Sequence, residues 1–148
     1  MSGEALADRG LRPVAAIDVV PEAREATLRD RPGLYEEVLT ADLSRLDDDV
    51  AQRLRALRPT ALTVVGAVGQ DHVPPAAVTN AARLLTPDAL VAYAYVATAG
   101  DEEQRRTLAA VGETTELGRE RYRHRRTADG GERMWEAVVL RLRRRPEV

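Results

Sequence analysis

The sequence has no cysteine, no lysine and no phenylalanine. Without cysteine there is no disulfide framework and no thiolate chemistry. Two histidines with no cysteine argue against a zinc site, and no metal is expected. All 22 basic side chains are arginine. That is the mark of GC-rich coding, so a single arginine carries little functional weight. The longest apolar run, residues 89–99, is too short to cross a bilayer, and the polar first twenty residues do not read as a secretory leader. A soluble, cytoplasmic protein with no membrane partner is the expectation. Glycine is also scarce where it would matter most. Ahead of Asp18 stand Gly3 and Gly10, but no G-x-G and no strand.

What is present reads as one domain, residues 1–148, with 44% hydrophobic residues and enough length for a real core. The net charge of −2 hides an uneven distribution. Residues 119–148 hold ten arginines against five acids, while the rest is acidic.

The pattern alternates strand and helix. Residues 14–20 read as a buried strand, and Pro21 suits the first position of the helix after it. Residues 35–40 form a second strand. Residues 47–57 have acids in the first turn, arginines in the last and Val50, Leu54 and Leu57 on one face, which predicts a helix. Residues 61–68 are a continuous apolar strand. Pro74-Pro75 opens a helix with Val78, Ala81, Ala82 and Leu85 as its buried stripe. Residues 89–97 are again a strand, and residues 101–111 a helix with Asp101 as cap. Residues 119–126 and 132–143 read as a hairpin turning at 128–131. The expected fold is α/β: a doubly wound, mostly parallel sheet with a C-terminal antiparallel hairpin. Met134 and Trp135 are expected to pack the hairpin against a helix.

Four segments in order, AAIDVVPEA at 15–23, GLYEEVLTADL at 33–43, VVGAVGQDHVPPA at 64–76 and ARLLTP at 82–87, resemble the Rossmann-like (class I) S-adenosylmethionine-dependent methyltransferases over nearly the whole length. The resemblance implies that Asp18, with Val19 beside it, stands where an acid binds the cofactor ribose. Asp42, with Leu43, stands where an acid reaches the adenine amino group. The loop after the strand ending at Gly66, including His72, would border the methionine end and the substrate. Carboxylates suit vicinal hydroxyls and amines as acceptors. His72 is the one candidate for contact with a substrate; no catalytic residue is assigned.

Two departures stand out. Pro87-Asp88 occupies a turn that is often Pro-Gly-Gly in the family. More seriously, the family's first strand and its Gly-rich cofactor turn have no counterpart, so the chain reads as N-terminally truncated. That strand lies at the sheet centre, between the strands ending at Asp18 and Gly66. Its removal would open a slot roughly 10 Å wide, with unpaired backbone groups on both sides. The flanking strands would pair directly, a second copy would insert an element, or another protein would supply a strand.

The expectation is therefore a non-catalytic, methyltransferase-like accessory protein. It would bind and stabilise or activate a partner enzyme in the manner of a chaperone, in bacterial secondary-metabolite biosynthesis, with no cofactor of its own. A protein partner or homo-oligomer would form through the incomplete sheet. The alternative is an S-adenosylmethionine-dependent methyltransferase whose site another chain completes. The Arg-rich run 121–126 reads as a solvated edge, and nucleic acid is not an expected partner.

Overall fold

In the computed structural model, residues 2–65, 73–96, 102–126 and 131–144 are described. Helix α1 (Ser2–Ala7) is followed by β1 (Ala15–Asp18), α2 (Pro21–Asp30), β2 (Glu37–Thr40), a 3₁₀ turn (Leu43–Arg45), α3 (Asp48–Ala56) and β3 (Ala61–Val64). Then come α4 (Pro75–Ala82), β4 (Ala89–Val96), α5 (Glu102–Ala109), β5 (Gly112–Arg126) and β6 (Glu132–Arg144). The alternation follows the sequence pattern. The expected Asp101 cap, the hairpin tip at 128–130, Gly66 and His72 lie outside the described residues.

Local chemistry explains the boundaries. Pro21 and Pro75 each open a helix, where a missing N–H costs nothing. The Asp47 side chain accepts from the Val50 amide at 2.8 Å and caps α3. Asp88 adopts φ 57°, so the turn before β4 keeps the left-handed backbone that a glycine would supply. Gly3 of α1 lies so close to Tyr35 that a β-carbon there would overlap the tyrosine hydroxyl.

The strands form two sheets rather than the single doubly wound sheet read from the sequence. β1 pairs with β2 in parallel; the other sheet runs β3-β4-β6-β5. Within it only β3–β4 is parallel, while β4–β6 and β5–β6 are antiparallel. Direct closure of β1 on β3 is therefore not how the described strands are arranged. The hairpin is longer than expected because β5 begins at Gly112, with irregular register between Glu116 and Gly118.

Each sheet has its own apolar cluster. Under the larger sheet, Val78, Ala82 and Leu85 meet Val91, Tyr93, Leu108, Val138, Leu140 and Leu142. Under the smaller one, Leu39, Ala51, Leu54 and Leu84 pack with Ala15 and Ile17. Helix α4 and the turn after it supply side chains to both. Asn80 of α4 also donates to the Leu43 carbonyl at 2.9 Å, across to the 3₁₀ turn. Asn80→Ala is expected to cost about 1–2 kcal/mol, because the carbonyl loses its partner in a half-buried setting. Urea unfolding checks this. An unchanged midpoint would show that the bond does not join the sheets.

Candidate functional site

Parallel pairing puts the carboxyl ends of β1 and β2 side by side: Asp18 is opposite Thr40, and the Ala41 amide donates to the Asp18 carbonyl at 2.9 Å. Asp18, Val19, Asp42 and Leu43 thus gather at one end of the smaller sheet, where an α/β fold presents ligand-binding loops. Asp18 and Asp42 are both exposed. Oδ1 of Asp18 accepts from the Val20 amide at 2.9 Å and so holds the turn into α2. Oδ1 of Asp42 accepts from the Ser44 amide at 2.8 Å and the Ser44 hydroxyl at 2.6 Å. These bonds hold the Asp42 carboxyl below the usual carboxylate range, the Ser44 hydroxyl contributing most. Val19 is 62% exposed. Leu43 is different in kind: its side chain packs in the smaller cluster and its carbonyl takes the Asn80 bond.

The cavity touching Asp18 holds about 90 Å³ and is lined by Ile17, Ala23, Arg24, Thr27 and Leu39 among others. Small-molecule sites usually enclose roughly 300–1,000 Å³. A larger groove of about 490 Å³ adjoins that cavity along the outer side of β2, sharing Arg24, Val38 and Leu39 and walled also by Glu37 and Arg53. It includes neither Asp18 nor Asp42. No group of three or more potential metal ligands occurs among the described residues. None of the described helices is long and apolar enough to cross a membrane.

The densest polar arrangement was not visible in the sequence. Tyr95 and Glu136 are opposite each other on β4 and β6, and the Tyr95 hydroxyl donates to Oε2 of Glu136. Arg119 of β5 donates to that same carboxylate at 2.7 Å and to the Tyr95 hydroxyl. Glu116 then joins Arg119 at 3.1 Å and Arg105 of α5. Only strand register brings these residues together, so no local motif announces them. The Tyr95 hydroxyl, then Arg119, draws the Glu136 carboxyl below its ordinary range; Arg119 and Arg105 do the same for Glu116. Carboxylates that titrate lower when folded stabilise the fold fully above the unfolded value of about 4.3, and this is lost as pH falls through the lower folded values. Glu136→Gln is expected to flatten the fall of the thermal midpoint below about pH 4. Melting curves of both proteins across that range check it; parallel curves would remove Glu136 from the pH response.

Trp135 stacks on His124 of the neighbouring strand, with ring centroids 4.4 Å apart. That ring contact lies within the hairpin. In the Arg-rich run, Arg123 pairs with Glu132 at 2.9 Å, and Arg121 is exposed.

Solved structures similar to this chain have a methyltransferase-like fold. The N-methyltransferase NodS from Bradyrhizobium japonicum WM9 matches with a TM-score of 0.61 and 15% identity, over 90% of this chain and 75% of NodS. A putative methyltransferase from Thermoplasma acidophilum matches with a TM-score of 0.66 and 12% identity, over 97% of this chain but 63% of its own length. A functionally unknown protein from Deinococcus radiodurans R1 matches with a TM-score of 0.63 and 16% identity, over 93% and 74%. No family model and no curated protein matches the sequence. The chain thus shares a mixed α/β, methyltransferase-like fold, including an antiparallel hairpin, while spanning about two thirds to three quarters of these proteins.

Proposed function

We propose that this chain is a non-catalytic, methyltransferase-like accessory protein that acts by binding and stabilising or activating a partner enzyme. The observation that carries the reading is the break between the two sheets. β1 and β3 are not joined, and the break begins beside Asp18, where the resemblance places the first strand and its Gly-rich turn. Among the described residues no strand lies between β1 and β3. The small cavity at Asp18 supports the same view, since about 90 Å³ is well below the usual volume of a small-molecule site. One fold supports many activities, so the site and not the fold decides function.

A methyltransferase completed by another polypeptide is the second reading. It is favoured by Asp18, whose second carboxylate oxygen has no hydrogen bond among the described residues. Calorimetry on the isolated chain tests the first reading. The isolated chain is expected to give no saturable heat with S-adenosylmethionine or its demethylated product up to about 1 mM, a limit of about 4 kcal/mol of binding free energy. Micromolar binding or methyl transfer by the chain alone would overturn the accessory reading.

A further inference from the structure

By the resemblance, which sets a strand between β1 and β3, β2 and β5 are the outer edges and β1 and β3 the inner ones, and the two kinds differ in chemistry. The outer edge of β2 is guarded: Nε of Arg24 donates to the Val38 carbonyl at 2.8 Å, and Glu37 pairs with Arg53 at 2.6 Å. The outer strand β5 is lined with Glu113, Glu116, Arg119, Glu120, Arg121 and Arg123, and its register is broken at two places. Charge and bulges are how proteins stop an edge from pairing. The inner strands have neither. β1 reads AAID and β3 reads ALTV, with Asp18 as the lone charge, at the strand end.

The hydrogen-bond phase shows which backbone groups face inward. The Glu37 amide donates to the Val14 carbonyl at 3.1 Å and the Ala41 amide to the Asp18 carbonyl. Even-numbered residues of β1 therefore turn to β2, and Ala15 and Ile17 turn their N–H and C=O away. The Leu90 amide donates to the Thr60 carbonyl at 3.0 Å, so Ala61 and Thr63 likewise turn away from β4. Two short rows of backbone donors and acceptors are left outside both ladders.

We propose that the inner edges of β1 and β3 form a docking slot for one uncharged β-strand donated by a second, different polypeptide. This rests on the accessory reading and names the chemistry of its partner. The donor would join the sheets as 2-1-donor-3-4-6-5. Ala15, Ile17, Leu62 and Val64 pack against the two apolar clusters, so the donor's side chains on that face are apolar. Ala61 and Thr63 are exposed on β3, so its other face meets small side chains. Asp18 and Asp42 stand exposed at the carboxyl end, which favours a basic residue just after the strand. A second copy of this chain does not solve the shortage. Exchange of strands between copies leaves the number per sheet unchanged.

The probe is a phage-displayed library of random peptides about twelve residues long, panned on the full chain. Enrichment of uncharged, β-branched runs of about four to six residues followed by lysine or arginine is the expected result. A peptide so selected should slow hydrogen exchange at the Ile17 and Thr63 amides about tenfold or more, and leave those of Ala16 and Leu62, already in the ladders, nearly unchanged. Thr63→Pro removes a slot-facing donor and is expected to weaken that peptide about tenfold while leaving the melting midpoint close to wild type. Ala15→Pro repeats the test on the other edge. Absence of such enrichment, uniform instead of alternating protection, or full affinity in both proline variants would overturn the slot. Protection of Ile17 and Thr63 in the free chain would overturn it too, by internal closure if independent of concentration and by copy-to-copy pairing if not. Methyl transfer by the isolated chain, with alternating protection intact, would instead overturn only the accessory reading.

Discussion

Leu140→Ala is expected to lower the unfolding free energy by about 2–5 kcal/mol, the usual range for truncating a fully enclosed leucine. Leu140 is completely shielded from solvent, in the middle of β6 between Val91 of β4 and Glu116 of β5. Its cluster also holds Leu108 and the α4 side chains Val78 and Ala82. Truncation therefore opens a void bounded by two helices and a sheet, which cannot collapse without moving all three. Leu140→Met keeps most of the volume and should cost less than about 1.5 kcal/mol. Denaturant midpoints of the two variants provide the check. A loss below about 1 kcal/mol in Leu140→Ala would mean that β6 is not the centre of the larger sheet.

Trp135 should separate two effects in one position. Its side chain is 8% exposed and stacks on His124, but its Nε1–H is buried with no hydrogen bond among the described residues. Trp135→Ala removes both area and stacking and is expected to cost about 3–5 kcal/mol. Trp135→Phe retains an aromatic ring and deletes the orphan donor, so it should be near neutral, within about 1 kcal/mol either way. Denaturation followed by circular dichroism measures both, since this is the sole tryptophan and fluorescence would be lost. An equal cost for Phe and Ala would show that the indole N–H has a partner and matters more than the ring.

The element order was legible because punctuation and periodicity agreed. Pro21, Pro75 and the Asp47 cap mark helix starts by backbone chemistry that works within a few residues. The early part of β5 was hidden for an equally local reason. Glu113, Thr114, Thr115 and Glu116 belong to an edge strand with little to bury, and the irregularity before Gly118 breaks the alternation that would betray it. The division into two sheets was beyond local signals altogether. Residues 14–20 and 61–68 read as strands covered on both faces, yet hydrophobic pattern says which face is buried and not which neighbour completes the ladder. For the site, the acids at strand ends were easy to find. What each carboxylate actually touches, Val20 for Asp18 and Ser44 for Asp42, depended on turns only two residues long. The Tyr95–Glu136–Arg119 group needed three strands in register before it existed at all.

Helix α4 spans only Pro75–Ala82, and with the turn after it supplies Val78, Ala82 and Leu85 to one apolar cluster and Leu84 to the other. A shift of barely a turn there would disturb both halves at once. Whatever wedges the sheets apart or draws them together must therefore be felt through this short rod, making it the natural pivot of the molecule.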